Sequence, residues 1–386
     1  MGSLIALLHP YSVEEFLKHN WTSKAVFIPS EGQKKFARLF SWEKLNTLLN
    51  FHQFSYPELR LALDGKVLDE SDNANLIQRC QDGATLIING VHKHIPEIAT
   101  FISEIKYDLG YGAQVNAYCS WPGRQGFSSH YDTHEVFILQ IEGRKEWHVF
   151  PDTLKYPLPD QKSASLPPPE GEPYLSYTLN PGDVLYIPRG HWHYAIALDE
   201  PSLHLTLGVH CKTGIDLLEW LVSQLREKEE WRRSLPLRID TAAVNGAIET
   251  LITDLSQYVT DSNISEEYVS YLDSLGKPRE RYSLPHQVGF DIFPNGAETR
   301  YKAPKFQRVS ISELSDGSGY RIVVSGKDVS LRGVPHSLVE NLFSGEPFTG
   351  KDVRDWLPDY DWDIDIVPLL SRLVVEEIIF VDTYRE

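Results

Sequence analysis

The spacing of apolar residues divides the chain into three stretches. Up to about residue 110, short amphipathic helices alternate with short apolar strands, and Ser12 with Glu15 has the form of a capping box that opens a helix. The predicted elements here are a helix from Ser12, a strand over 24–28, a helix over 42–51, a strand over 84–88 and a helix over 95–105.

The second stretch, from about 110 to 210, has a different pattern. Runs of β-branched and aromatic residues of strand length are separated by Gly, Pro and Asn. This is typical of a β-barrel or a β-sandwich. The polar, proline-rich segment 161–173 interrupts these runs and is predicted to be a loop.

The third stretch, after about 213, begins with helices. Apolar residues at helical spacing predict one helix over 215–225 and a second over 244–255. An irregular segment over 270–306 follows. The remaining predicted elements are a hairpin-like strand over 320–325, helices near 337–343, 350–356 and 364–374, and a closing strand over 377–382. This order predicts a small α+β module of winged-helix-like form.

Composition and charge narrow the possible partners. The chain has 386 residues, 41% hydrophobic and 24% charged, so it can build a large core without disulfide or metal staples. Lys and Arg number 37 against 54 Asp and Glu, a net charge of −17. That balance argues against binding a nucleic-acid backbone, and residues 351–386 are also acidic, but it would attract a basic polypeptide.

The cysteines and the apolar runs bear on the compartment. Cys80, Cys119 and Cys211 are far apart and form no CxxC pair, which disfavours a disulfide framework or a thiolate zinc site. A reducing cytoplasm is the expected location. No apolar run approaches the roughly 20 residues that a membrane span requires, so no membrane association is expected.

A possible metal motif lies in the second stretch. His130 and Asp132 are two residues apart in a strand-like segment, so both side chains are expected on one face. An imidazole and a carboxylate there could occupy neighbouring sites on one metal ion. A third ligand from another strand would complete the facial triad that suits non-haem Fe(II). A lone HxD pair is also common in solvated strand ends, so it does not decide the question.

The segment 180–193 offers the third ligand. It predicts a turn, a buried strand and a second turn that presents His191 and His193. His134 shares the face of His130, but at about 3.3 Å per residue the two start about 13 Å apart, too far to close one site. His148 and His204 are expected to be structural or cavity-wall residues. His191 and His193 both remain open on spacing alone.

The chain resembles a known family through three segments. These are HYDTHEVFILQIEGRKEWHVF at 130–150, NPGDVLYIPRGHWH at 180–193 and SLHLTL at 202–207. In this order they resemble the JmjC-type cupin oxygenases of the ribosomal-oxygenase group, and the resemblance covers about 95–210. It implies an α+β chain with a double-stranded β-helix core and its N-terminal extension over 1–212. A helical dimerisation region over 213–275 and a winged-helix-like domain over 276–386 would follow.

The resemblance also implies a chemistry. Members of the group are protein hydroxylases that use Fe(II), 2-oxoglutarate and O2. By position, His130, Asp132 and His193 correspond to the metal ligands, and the family pattern favours His193 over His191. Lys145 corresponds to the lysine that pairs with the distal carboxylate of 2-oxoglutarate, and we expect it to begin a strand that forms a hairpin through residues 141–145. The co-substrate pocket would be lined by Asn116, Tyr118 and Thr206.

The substrate is less constrained. Gly208 stands where family members often carry a small hydroxyl residue, and His134 and Trp192 are expected to shape the substrate side of the cleft. The first expectation is an Arg or His of a ribosomal protein, with the chain acting as a homodimer. Alternatives are a tailoring hydroxylase of a peptide natural product, a histone lysine demethylase, a non-catalytic peptide-binding cupin, and a zinc or manganese isomerase or hydrolase.

Overall fold

A computed structural model describes residues 3–275, 282–324 and 326–382. The chain separates into two compact units, residues 1–211 and 212–386. The boundary expected at 275/276 adjoins the segment 276–281, which lies outside the described residues, as does Ser325 at the end of a predicted strand. That boundary stays a prediction.

The first unit contains the elements predicted up to residue 110 in their predicted order, together with short elements over 3–8, 59–67 and 76–81 that were not predicted. Its helices are α1 (Ser3–Leu8), α2 (Val13–His19), α3 (Trp42–Phe51), α4 (Leu76–Gln81) and α5 (Pro96–Leu109). Its strands are β1 (Val26–Ile28), β2 (Leu59–Leu63), β3 (Lys66–Val67), β4 (Thr85–Ile88), β5 (Gly112–Ser120), β6 (Glu135–Glu142), β7 (Lys145–Asp152), β8 (Leu175–Leu179), β9 (Val184–Ile187), β10 (His191–Ala197) and β11 (Ser202–His210). The helix predicted over 42–51 is confirmed as α3, and the Ser12 hydroxyl accepts a hydrogen bond from the Glu15 amide at 3.1 Å at the start of α2.

Two antiparallel sheets form this unit. The larger has eight strands in the order β1-β9-β6-β11-β5-β4-β2-β3, and the smaller has the order β10-β7-β8. Side chains on β5 and β11 alternate between two environments. Val115, Ala117 and Leu205 pack with Ile98 and Ile102 of α5 in the main apolar core. The residues between them, such as Tyr118, face the opposite side, where the two sheets enclose a cavity.

The hairpin expected over 141–145 is wrong. In the described structure β6 pairs with β9 and β11, whereas β7 pairs with β8 and β10. The turn therefore carries the chain from the large sheet to the small one. Gly143 makes this passage possible, because its φ is +68° and a Cβ there would lie 2.0 Å from the Pro201 carbonyl oxygen.

The second unit begins with helices and continues as a mixed module. Its helices are α6 (Gly214–Leu225), α7 (Glu229–Arg232), α8 (Thr241–Asp261), α9 (Ile264–Ser274), α10 (His336–Leu342), α11 (Gly350–Trp356) and α12 (Val367–Val375), with a π-helical turn over Trp362–Ile366. Its strands are β12 (Arg300–Lys302), β13 (Val309–Glu313), β14 (Gly319–Val324), β15 (Lys327–Arg332), β16 (Phe348–Thr349) and β17 (Phe380–Val381).

The strands of this unit form two small sheets, β16-β12-β17 and β13-β14-β15. The strand predicted over 320–325 is the centre of the second sheet, and its neighbours β13 and β15 were not predicted. Tyr301, Leu338, Leu370 and Ile379 are at the centre of a separate apolar core. The winged-helix-like assignment and a dimerisation role for 213–275 stay predictions. Among the described residues, no helix combines the length and apolar character needed to cross a membrane.

Candidate metal centre

Three potential metal ligands converge in the first unit. One ligand atom from each of His130, Asp132 and His193 lies within 4.8 Å of the others. The His193 Nε2 is 3.7 Å from an Asp132 carboxylate oxygen, and the two imidazole rings have their centroids 4.6 Å apart. Of the candidates that spacing alone left open, His193 is therefore the histidine that joins this cluster.

The backbone holds the two motif segments together. The His130 amide donates to the His193 carbonyl at 3.1 Å, and the His193 amide donates to the His130 carbonyl at 2.7 Å. The Gly190 amide also donates to the Asp132 carbonyl at 2.9 Å. Residues 128–134 form only this isolated bridge and no strand, so the bridge, rather than strand alternation, brings the ligands together.

Local hydrogen bonds orient both imidazoles. The His130 Nδ1 lies 2.8 Å from the Ser128 carbonyl oxygen, and the His193 Nδ1 lies 3.0 Å from the His191 carbonyl oxygen. A carbonyl oxygen only accepts, so each Nδ1 carries the hydrogen and each Nε2 keeps its lone pair. This is how a second hydrogen bond fixes the tautomer of a metal-binding histidine.

The electrostatics favour a metal-binding protonation state. Burial and the neighbouring His130 lower the pKa of His193 to about 4, so its imidazole is neutral near pH 7. Burial alone would raise the pKa of Asp132, but the imidazoles of His134, His130 and His193 hold it below its usual value. A neutral imidazole and an ionised carboxylate are the forms that bind a metal.

A buried ion pair braces the site. Glu135 at the start of β6 is fully buried, and its carboxylate accepts a hydrogen bond from the Tyr186 hydroxyl at 2.5 Å. Its other oxygen is 3.7 Å from Arg189 Nε, in the turn that precedes β10. The pair thus links the segment after Asp132 to the turn before His193. Sequence reasoning missed it.

Lys145 faces the same cavity as the three ligands. This cavity has a volume of about 200 Å³, and its wall includes His130, Asp132, His193 and Lys145. The Lys145 side chain is buried, and its ammonium donates to the Ser120 hydroxyl at 2.9 Å. Burial lowers the pKa of Lys145 to about 7, and no carboxylate pairs with it among the described residues.

The other expected co-substrate residues occupy two kinds of position. Tyr118 and Thr206 line the cavity, on neighbouring strands β5 and β11. Asn116 is not part of the lining, and its side-chain oxygen accepts a hydrogen bond from the Gly90 amide at 2.9 Å. Its amide also interacts with the Tyr118 hydroxyl. Asn116 therefore supports Tyr118 from behind.

The structure places the two expected substrate-side residues outside the cavity lining. His134 stacks on His210, and a Cβ on Gly208 would come within 2.6 Å of the His134 ring, so the imidazole fills the space above that glycine. Trp192 is 1% exposed, and its indole nitrogen donates to the Thr153 hydroxyl at 2.9 Å. Trp192 thus packs in a small aromatic cluster beside the site.

Several cavity residues were not predicted. Arg60 and Thr85 come from the N-terminal extension, on β2 and β4, and Trp147 comes from β7. The only sequence signal for Arg60 is a single charge within the apolar run Leu59–Leu63. His204, expected to be structural or a wall residue, also lines the cavity and stacks on Tyr118 at 5.0 Å.

The residues present fit an iron ion and a dicarboxylate. Two imidazoles and one carboxylate form the donor set of non-haem Fe(II) sites with open positions. The Trp147 Nε1 and the His204 Nδ1 are buried and have no hydrogen-bond partner among the described residues. Both belong to residues that line the cavity, which is the condition expected where a ligand rich in acceptor oxygens binds.

Comparisons with known proteins agree with this architecture. Residues 91–217 match the family described as JmjC domain. Ribosomal oxygenase 1 of Gallus gallus is 32% identical over 250 residues, 60% of this chain and 41% of that protein. The bifunctional lysine-specific demethylase and histidyl-hydroxylase NO66 of Drosophila persimilis is 29% identical over 61% of this chain and 36% of that protein. The chain thus spans about two fifths of the length of these relatives.

A solved structure shows the same fold over nearly the whole chain. The Escherichia coli ribosomal oxygenase YcfD, in complex with cobalt and 2-oxoglutarate, has a TM-score of 0.60 at 18% identity. The alignment covers 97% of this chain and 99% of that one. Residues 91–217, which contain the His–Asp–His cluster, therefore form a JmjC-type cupin domain. The relatives that match about 60% of the chain are named ribosomal oxygenase and histidyl-hydroxylase, which confirms the resemblance seen in the sequence.

Proposed function

We propose that this chain is an Fe(II)- and 2-oxoglutarate-dependent oxygenase that hydroxylates an amino-acid side chain in a protein or peptide. The first candidate substrate is an Arg or His of a ribosomal protein. The observation that carries the proposal is that one cavity of about 200 Å³ contains a His–Asp–His cluster and a buried lysine that no carboxylate pairs with among the described residues.

Each group in the cavity has a role in this proposal. His130, Asp132 and His193 would hold Fe(II), which together with 2-oxoglutarate and O2 supplies the oxidising power for C–H hydroxylation. The Lys145 ammonium would bind the distal carboxylate of 2-oxoglutarate through a charge-assisted hydrogen bond. The Tyr118 and Thr206 side chains would orient the co-substrate. Part of the cavity wall is apolar, formed by Val136, Ile138 and Trp147, and lies beside these charged groups.

The relatives support a protein substrate. Two of them are named ribosomal oxygenase and histidyl-hydroxylase, and they align with 60% and 61% of this chain. The net charge of −17 suits a basic polypeptide such as a ribosomal protein. A ribosomal substrate would also be available in the cytoplasm, which we propose as the compartment.

We further propose that the chain acts as a homodimer through α6 and α8. Three apolar residues of α6 remain exposed, namely Ile215 (47%), Leu218 (55%) and Val222 (49%). On α8, Ile252 is 57% exposed. Helices that leave apolar stripes in water gain stability by pairing. Light scattering should give twice the chain mass, and Leu218→Glu with Ile252→Glu should give the mass of one chain.

The test of the catalytic proposal does not need the substrate. Purified protein supplied with Fe(II), 2-oxoglutarate and O2 should form succinate slowly without a peptide, and His130→Ala should abolish this turnover. Absence of turnover in the wild type, or unchanged turnover in His130→Ala, would contradict the proposal. Mass spectrometry of cellular proteins with and without the chain should then reveal peptides that gain one oxygen atom.

A further inference from the structure

Arg60 is a second cation in the wall of the metal cavity. It lies on β2, two strands away from β5 in the large sheet. Arg60 pairs with Ile87 on β4, and Ile87 pairs with Tyr118 on β5. Directly opposite residues in antiparallel strands point to the same face. The register therefore aims Arg60 across Ile87 towards Tyr118 and the cavity.

The contacts of Arg60 leave part of its guanidinium without a partner. One part of the group lies within hydrogen-bonding reach of the Tyr118 hydroxyl, and its charge acts on Asp132. Its Nε is buried and has no hydrogen-bond partner among the described residues. A buried, unused N–H of a charged group is costly unless a ligand accepts from it. Arg60 thus faces a ligand position beside the metal ligands.

The proposed function assigns both charged ends of the co-substrate to groups other than Arg60. Under the proposed function, the metal takes one end of 2-oxoglutarate and Lys145 takes the other. Lys145 is bonded to Ser120, whereas Arg60 reaches Tyr118. Ser120 and Tyr118 lie on the same face of β5 and are two positions apart, so they are about 7 Å from one another along the strand. The two cations therefore address different parts of the cavity.

We infer that Arg60 is a substrate-binding residue that donates a hydrogen bond to the target side chain and selects against cationic targets. This inference rests on the proposed function and sharpens it. A guanidinium stays protonated at any physiological pH and offers donors only. A neutral imidazole or a carboxamide can accept from it, whereas an arginine or lysine side chain would bring a like charge into a partly dry cavity. Of the first candidates, histidine is favoured over arginine.

Two small probes test the inference without an identified substrate. N-acetylhistidinamide and N-acetylargininamide are each added at pH 7.5 to full-length protein loaded with Mn(II) and saturating 2-oxoglutarate. Paramagnetic relaxation of probe protons measures how often each probe lies near the metal. We expect relaxation of N-acetylhistidinamide and little of N-acetylargininamide.

Variants assign this preference to Arg60. Arg60→Gln should weaken N-acetylhistidinamide binding about 10-fold, the loss expected for one charge-assisted hydrogen bond, and should strengthen N-acetylargininamide binding. Arg60→Lys keeps the charge and should still reject N-acetylargininamide. Arg38→Gln removes an exposed arginine of the same unit and serves as the matched control, with wild-type behaviour expected.

The outcomes separate the inference from the function on which it rests. If 2-oxoglutarate itself shows no relaxation in the wild type, the proposed function fails, and the inference fails with it. If 2-oxoglutarate binds but the ratio of the two probes is the same in the wild type, Arg60→Gln and Arg60→Lys, only the inference is overturned. Loss of 2-oxoglutarate relaxation in Arg60→Gln, with the probe ratio unchanged, would instead make Arg60 a co-substrate ligand and also overturn it.

Discussion

The buried lysine in the cavity predicts that 2-oxoglutarate binding depends on pH. Burial places the pKa of Lys145 at about 7 in the free protein. A carboxylate bound to the ammonium stabilises the charged form and raises this pKa. Above pH 7, where Lys145 of the free protein is mostly neutral, Lys145 must therefore take up a proton when 2-oxoglutarate binds. Affinity is therefore full below pH 7 and is lost progressively above it.

The size of the effect follows from the protonated fraction. With a pKa of about 7, about one Lys145 in ten is protonated at pH 8, and the apparent Kd should be about 10-fold weaker than at pH 6. Binding at pH 8 should also take up about 0.9 proton. Isothermal titration calorimetry on Mn(II)-loaded protein, in buffers of different ionisation enthalpy, measures both quantities.

Lys145→Arg is the matched variant for this measurement. Its guanidinium stays charged over the whole range, so its affinity should not follow the wild-type slope between pH 6 and pH 8.5, whatever its absolute value. Changes in the metal and its bound water affect both proteins and cancel in the comparison. Equal slopes in the two proteins, or a flat wild-type profile, would refute the reasoning.

Three further variants follow from buried contacts. Lys145→Met removes a buried ammonium and should raise the free energy of unfolding by about 2–4 kcal/mol at pH 6. Above pH 7 Lys145 of the folded wild type is already neutral, so this gain shrinks towards pH 10 as Lys145 of the unfolded chain also loses its proton. Urea unfolding at pH 6 and at pH 10 checks the sign. Glu135→Ala leaves Arg189 as an unpaired buried charge and should lower the free energy of unfolding by about 3–5 kcal/mol and weaken metal retention, whereas an unchanged denaturation midpoint would contradict a bracing role. Trp192→Phe loses the hydrogen bond to Thr153 and some packing, so it should destabilise the fold by about 1–3 kcal/mol with unchanged binding of the two probes; altered probe binding would restore Trp192 to the substrate side.

The sequence predicted local elements and the metal motif better than it predicted which strands pair with one another. Apolar spacing located α3 and α5, and the two motif segments pointed to His130, Asp132 and His193, which the structure brings together. These are local patterns, or short segments in a recognisable order. The decision between His191 and His193 needed the family pattern, because spacing does not report which side chain turns inward.

Pairing between distant strands could not be obtained from spacing. A Gly-containing turn between two strands predicts a hairpin, yet the turn at Gly143 changes sheets because β6 and β7 each pair with later strands. The position of Arg60 depends on two successive strand pairings that cross segments far apart in sequence. Trp192 is buried and Trp147 lines the cavity, yet both are aromatic residues within predicted strand-like runs. Only the packing around each one distinguishes them.

The continuity of the large sheet has a consequence for how such a protein can diversify. The metal ligands and Lys145 lie within the matched JmjC segment 91–217, whereas Arg60 and Thr85 reach the same cavity from strands that precede it. Substitutions in the earlier strands can therefore reshape what the cavity accepts without touching the groups proposed to handle iron and 2-oxoglutarate. The groups proposed for the reaction and those proposed for selectivity thus lie in separate stretches of the chain that meet at one cavity.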